Sequence, residues 1–270
     1  MLRSGLLLAV LLVSAQAGRK VSMKNRFIRT HTHGKIVGGI PAEPGQFPYQ
    51  VSMQYGSGSS WSHYCGGSIL DETHVLTAGH CDPLRGERVV AGTLDLANMG
   101  ETAQVREVID AVIHPEYFGV TYDAAVVTVD PPFEFNQFVG PAALPFEGQQ
   151  PSGNPRSCTP SGWGATLDGT LSDELLYVDI DFIDDETCID FWGSGPIPEQ
   201  NICAGNEEGF ETVCYGDSGG PLYCEADDGE RYLFGSTSWG PGECGLPELP
   251  AVWAEVPFFE EFILEQIGRA

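Results

Sequence analysis

The segment TVCYGDSGGPLYC, Thr212 to Cys224, sets Ser218 and Asp217 among three glycines and between two cysteines. A serine hydroxyl is a poor nucleophile unless a base lies within hydrogen-bond reach and a third group orients that base. Among six histidines, His80 is the candidate base, because it ends the apolar run VLTAGHC at a turn beside Cys81. Asp123 precedes the apolar run AAVVTV, so its carboxylate is expected at a strand entrance, partly shielded from water. Such a carboxylate can hold a neutral imidazole in one tautomer and stabilise it once protonated. Nucleophilic attack by an activated serine is the chemistry that Ser218, His80 and Asp123 together support. His114, in IHPEY, reads as a turn residue, and His63 and His74 as surface or loop positions. With no CxxC pair and scattered histidines, a metal site is not expected.

The elements that must position these side chains are short. Runs such as RVVAGTLDL, REVIDAVI, AAVVTV, LLYVDIDFI, RYLFGSTSW and AVWAEV are rich in β-branched and aromatic residues and are separated by Gly, Pro, Asn and Asp. That pattern predicts an all-β barrel or sandwich. The stretch from Ile36 onward, about 235 residues, is large for one small barrel and comfortable for two. The Pro- and Gly-rich residues 140–155 form the natural connection between halves. One helix is expected, near residues 257–267, where Phe259, Phe262, Ile263 and Ile267 share helical spacing and can pack on a barrel.

Outside that body lies a different composition. Residues 1–17 have a basic start, an apolar run too short to span a bilayer and the ending Ala-Gln-Ala, the pattern of a secretory signal peptide. A soluble, extracellular mature form is therefore expected. Seven of the 13 basic residues, including all three lysines, precede Ile36, and none of the 38 acidic residues does. Residues 18–35 read as a detachable basic extension. Without residues 1–35 the chain keeps six arginines against 38 acids, a net charge of −32. Such a surface disfavours nucleic acid and anionic membranes as partners. The eight cysteines are compatible with disulfides in a secreted protein, but spacing alone does not choose their pairing.

Taken in order, IVGG at Ile36, LTAGHC around His80, YDAAVV around Asp123, GDSGGP around Ser218 and SWG at Ser238 resemble the signature set of the chymotrypsin-like serine endopeptidases, over essentially all of residues 36–270. The resemblance implies two packed six-stranded antiparallel β-barrels with a C-terminal helix. It implies a catalytic triad of Ser218, His80 and Asp123, with Gly216 and Ser218 offering N–H groups to the oxyanion. Asp217 would bind the new amino terminus of Ile36 once the Lys35–Ile36 bond is cut. The implied disulfides are Cys65–Cys81, Cys158–Cys224, Cys188–Cys203 and Cys214–Cys244.

The same resemblance places a specificity pocket at Thr212, Val213, Tyr215, Ser238, Trp239, Gly240 and Ala251. Trypsin-like members carry an aspartate where this chain has Thr212, so a cationic substrate side chain would be buried without a counter-charge, which is costly. Gly240 leaves the pocket mouth open, whereas the Ala251 methyl makes the cavity shallower. Cleavage after Phe, Tyr, Leu or Met is expected, the alternatives being elastase-like cleavage after smaller apolar residues or a non-catalytic binding homologue. Calcium-binding members supply glutamates where this chain has Thr93 and Ala103; Asp95 and Glu101 remain nearby, and no cofactor or metal is expected beyond a disfavoured weak calcium site. Gly79 stands where alanine is commoner, a tolerable loss of one methyl. Expected partners are protein or peptide substrates, a trypsin-like activating protease and protein inhibitors of proteases, with the enzyme a digestive-type monomer.

Overall fold

The computed structural model describes residues 36, 38–146, 148–192, 199–206, 209, 211–246 and 249–268. The signal-peptide and propeptide readings, residues 1–35, lie outside the described residues. The first half of the body contains β2 (Gln50–Ser57), β3 (Ser60–Ile69), β4 (His74–Thr77), β5 (Arg88–Ala91), β6 (Gln104–Ile113) and β7 (Ala125–Asp130), after the two-residue strand β1 (Ile40–Pro41). Strands β2 to β7 close into an antiparallel barrel in the order β2-β3-β4-β7-β6-β5. Register shifts at Met53/Gln54 and Val108/Asp110 mark irregularities of the kind that sharpen strand curvature. Val51, Met53, Val75, Val89, Val108, Val127 and Val129 fill its interior. Three of the β-branched runs of the sequence, RVVAGTLDL, REVIDAVI and AAVVTV, thus contribute to one closed core.

The second half contains β8 (Cys158–Gly162), β9 (Leu176–Tyr177), β10 (Asp181–Ile183), α1 (Asp185–Trp192), β11 (Asn201–Gly205), β12 (Pro221–Glu225), β13 (Arg231–Trp239), β14 (Ala251–Glu255) and α2 (Glu260–Gln266). Six of its strands follow the order β8-β12-β13-β14-β11-β10, and β9 with β1 extends the β8 edge. This sheet curls rather than closing through a full ladder. Paired hydrogen bonds between Cys158 and Ile180, at 2.8 and 3.0 Å, join its two ends. Ile36, Leu176, Ile180, Ile202, Leu222, Phe234 and Trp253 form its core.

Helix α2 carries the expected apolar stripe, with Phe262 and Ile263 buried and Phe259 and Ile267 at its two ends. It packs where the halves meet, against Tyr49, Leu70, Leu76 and Val126 of the first and Leu233 and Ala254 of the second. Burying side chains of this size contributes about 1.5–3 kcal/mol each. Helix α1 is an addition to the expected single helix. Asp184 caps it by accepting the Thr187 N–H at 2.8 Å, and Asp185 and Glu186 occupy its first turn, where negative charge suits the helix dipole. Its one buried residue, Cys188, anchors it through a disulfide.

Candidate active site

His80 lies on a single 3-10 turn, Gly79–Cys81, just beyond β4. The disulfide Cys65–Cys81 ties this turn to β3. Gly79 accounts for more than a missing methyl. A β-carbon there would come within 3.1 Å of the Tyr117 ring and 3.2 Å of Ile113, so glycine lets Tyr117 lie against the histidine turn.

Asp123 is buried at the entrance to β7, and its carboxylate is fully engaged. One oxygen accepts the His80 backbone N–H at 2.8 Å; the other accepts the His80 Nδ1–H at 2.7 Å and the Ser238 hydroxyl at 2.5 Å. These contacts place the imidazole proton on Nδ1 and leave Nε2 as the basic atom. The His80 side chain is 30 % exposed and that of Asp123 only 1 %, so the base meets solvent and substrate while its partner is shielded.

Ser218 sits in a turn held from both halves. Its carbonyl accepts the Gly66 N–H from β3 at 2.7 Å, and the Gly219 N–H donates to Thr237 on β13 at 2.8 Å. Gly219 has φ +75°, and a β-carbon there would fall 2.2 Å from the Thr77 hydroxyl. Only glycine allows this approach. Gly216, at φ +94°, also adopts a backbone conformation that a side chain strains.

The Asp217 N–H turns back to Cys214 at 3.0 Å. Among the described residues, the N–H groups of Gly216 and Ser218 on either side donate to no protein acceptor. Two unused donors flanking a nucleophile can hold a developing oxyanion.

A residue that the sequence reading placed at the surface braces these donors. His63, on β3, donates its Nε2–H to the Gly216 carbonyl at 2.9 Å, and its Nδ1 accepts the Ser52 hydroxyl at 2.8 Å. Burial pushes its pKa down to about 4, so the ring is neutral at ordinary pH. Nothing local marks His63 for this role: its partner lies 153 residues away. His74, also read as a surface position, is a β4 residue whose Nδ1 meets the Asp71 carboxylate at 2.8 Å.

Asp217 is fully buried, facing away from solvent beneath the nucleophile turn. Its carboxylate accepts the N–H groups of Gly164 and Cys214 at 2.8 and 2.9 Å. Burial outweighs these bonds and pushes its pKa up to about 7. Ile36 is also fully buried, within the core of the second half, and has φ +50°.

Of the expected pocket residues, Val213 and Ala251 share one core cluster and Gly240 lies against Ala251. Thr212 and Val213 are buried, and Trp239 lies opposite Val252 across β13 and β14. Gly240 and Ala251 are neighbours: a β-carbon on Gly240 would touch Ala251 at 3.7 Å. Tyr215 is 66 % exposed, with its hydroxyl donating to the Gly242 carbonyl at 2.7 Å, as befits a rim. Glu211, the acidic neighbour of Thr212, pairs with Arg156 at 2.9 Å and accepts from Asn206.

The four disulfides join Cys65–Cys81, Cys158–Cys224, Cys188–Cys203 and Cys214–Cys244. Around the weak calcium candidate, the Asp95 carboxylate accepts the N–H groups of Ala97 and Asn98, and the Thr93 hydroxyl bonds the Asp95 backbone.

A sequence model of the trypsin family matches residues 36–263. The chain is 37 % identical over 237 residues to Trypsin-1 of Astacus astacus, covering 84 % of this chain and 98 % of that protein. It is 37 % identical to Serine proteinase stubble of Drosophila melanogaster and 36 % identical to Serine protease 56 of Homo sapiens, over 86 % and 89 % of this chain. It spans only 31 % and 40 % of those two longer proteins. Signature residues, a two-barrel body, four disulfides and a matched span that includes every residue of the site lead to one assignment: the chain belongs to the trypsin family of serine proteases.

Proposed function

We propose that the protein is a secreted serine endopeptidase, made as a precursor with a signal peptide at residues 1–17 and a propeptide at residues 18–35, and activated by cleavage of Lys35–Ile36. The observation that carries the catalytic part is the buried Asp123 carboxylate bonded to His80 Nδ1 at 2.7 Å, beside a turn with two unused N–H donors. The chemistry is the one already worked out for this family. His80 Nε2 takes the Ser218 proton as the hydroxyl oxygen attacks the peptide carbonyl, and the Gly216 and Ser218 N–H groups receive the oxyanion. His80 then gives the proton to the leaving amine, and water releases the acyl group from Ser218 by the same sequence. Asp123 stabilises the imidazolium in both halves.

Activation follows from the charge balance. A buried carboxylate without a cation is costly, and the free α-amino group of Ile36 supplies a cation of the right sign to Asp217. Beyond Lys35 the chain has no lysine, so that amino group would be the activated enzyme's one primary amine. Amine-reactive labelling should stop at one group per molecule and abolish activity in proportion; fully active labelled enzyme overturns the pairing.

For specificity, the neutral, buried Thr212 supports cleavage after apolar residues, Phe, Tyr, Leu or Met. The trypsin name of the Astacus relative supports a second reading, cleavage after Arg or Lys. Profiling the activated enzyme on a mixed peptide library decides between them, and stoichiometric sulfonylation of Ser218 tests the nucleophile. An unlabelled Ser218 after Lys35–Ile36 cleavage would make the protein a binding homologue. Four disulfides and the trypsin-named relative support secretion, and no helix among the described residues is long and apolar enough to cross a membrane. Expected partners remain protein substrates, a trypsin-like activator and protein inhibitors, with the enzyme monomeric.

A further inference from the structure

Tyr122, the residue before Asp123, has φ +52°. The left-handed region is a costly one for a bulky side chain, and it persists only where surrounding contacts over-determine it. Here the contacts are identifiable. The Tyr122 N–H donates to the Gln200 side-chain oxygen, and its carbonyl accepts the Ala124 N–H at 2.9 Å, across Asp123. Its ring stacks on His114, with centroids 4.9 Å apart and planes 16° from parallel.

His114 is in turn boxed by the residues leading into and through α2. The edges of Phe262 and Phe259 meet it at 4.9 and 5.6 Å, with interplanar angles of 61° and 75°. Phe258 and Phe259 also approach the Tyr122 ring, at 6.0 and 6.5 Å. The His114 backbone N–H donates to the Ala124 carbonyl at 2.9 Å, so His114 grips both residues that flank Asp123. Its Nδ1 accepts the Glu116 N–H at 3.2 Å, which fits a neutral ring. The residue read from sequence as an ordinary turn histidine is the centre of an aromatic box behind the catalytic carboxylate.

We propose that His114 is a positioning residue: clamped between Tyr122 and the phenylalanines of the C-terminal helix, its ring keeps Tyr122 left-handed and so aims the Asp123 carboxylate at His80. The inference rests on the peptidase reading of His80, Asp123 and Ser218. Among the described residues, His114 makes no hydrogen bond or ring contact with the expected pocket or the nucleophile turn. Loosening it weakens the support that Asp123 gives to protonated His80, which lowers kcat and moves the acid limb of the pH–rate profile downward, with KM unchanged.

The test compares activated wild type, His114→Ala and His114→Phe, with rates expressed per active site titrated by a covalent serine reagent. For His114→Ala, kcat should fall about tenfold, well short of the loss that follows disabling the carboxylate itself. The acid limb should shift down by about half a pH unit, as expected when a neighbouring negative charge is less well placed. His114→Phe, which keeps a flat ring in the box, should restore both. Unchanged kcat and limb in His114→Ala, a loss confined to the number of titratable sites, or a failure of His114→Phe to rescue would each overturn the proposal. If His114→Ala does not fold, Phe262→Leu removes one ring edge and must give the same paired shifts in smaller measure; unchanged values there overturn it too. A wild-type enzyme that neither turns over nor titrates would instead sink the peptidase reading.

Discussion

Thr212 and Glu211 are adjacent in the chain and opposite in role. Glu211 is drawn to Arg156, whereas Thr212, which the proposed function puts in the specificity pocket, is buried and carries no charge. A cation entering there gains no partner, and a buried unpaired charge is disfavoured by far more than a methylene is worth. Thr212→Asp should therefore raise kcat/KM for Arg and Lys substrates relative to Phe substrates by roughly tenfold or more, since specificity is a difference of two affinities. Competition between matched Arg and Phe peptides measures the ratio directly, and an unchanged ratio removes Thr212 as the determinant. The expectation at this residue comes from its position in a motif. The sequence was uninformative at His63 and His114, whose neighbours along the chain are unremarkable and whose partners are remote.

Among the elements, the histidine turn carries its covalent support right beside the base. The Cys65–Cys81 crosslink closes a segment of 16 residues between β3 and the turn that holds His80. Replacing both cysteines by alanine should lower unfolding free energy by about 3 kcal/mol, the loop-entropy value for a closure of this length. Urea unfolding of the activated protein checks this, and a loss under ~1 kcal/mol would show that the barrel alone fixes the turn. The secondary structure was legible to different degrees. Helix α2 announced itself through Phe259, Phe262, Ile263 and Ile267, because a helix that buries a stripe must repeat it. Helix α1 buries only Cys188, so its sequence carried a cap at Asp184 and acids in the first turn but no stripe. Barrel strands were visible as β-branched runs, while the curl of the second sheet depends on pairings between distant segments.

For the whole molecule, buried acids make stability depend on pH. Asp217 and Glu255 both have pKa values pushed up to about 7, Asp217 by burial and Glu255 by burial and then by Asp185. Each holds its proton in the folded state over a range where the unfolded chain has released it, so ionisation opposes folding. Their combined effect is that the uncleaved protein loses stability as pH rises from about 4 to about 7. His63 acts oppositely: with its pKa lowered to about 4, it destabilises the fold as pH falls from about 6.5 toward 4. The contributions separate by comparing each variant with its parent. Asp217→Asn and Glu255→Gln should each flatten the decline in melting temperature, measured in uncleaved Ser218→Ala protein. If the proposed pairing of the Ile36 α-amino group with Asp217 forms after cleavage at Lys35, the share of the slope due to Asp217 should vanish. A slope unaltered by either variant and by cleavage would assign the effect to the acidic surface as a whole.

The sequence by itself determined the reactive groups, the glycines that let backbone approach backbone, the cysteines, the strand-forming runs and the placement of every lysine before Ile36. These are properties of residue type and local order. Only the tertiary structure decided which groups act together. Asp123 reaches His80 across 43 residues and Ser238 across 115, and His63 reaches Gly216 across 153. Such contacts exist because two barrels bury their β-branched faces and bring loops of both halves to one seam. The aromatic box around His114 was invisible for the same reason: stacking is a relation between surfaces, and a chain folds its surfaces together only when its core closes.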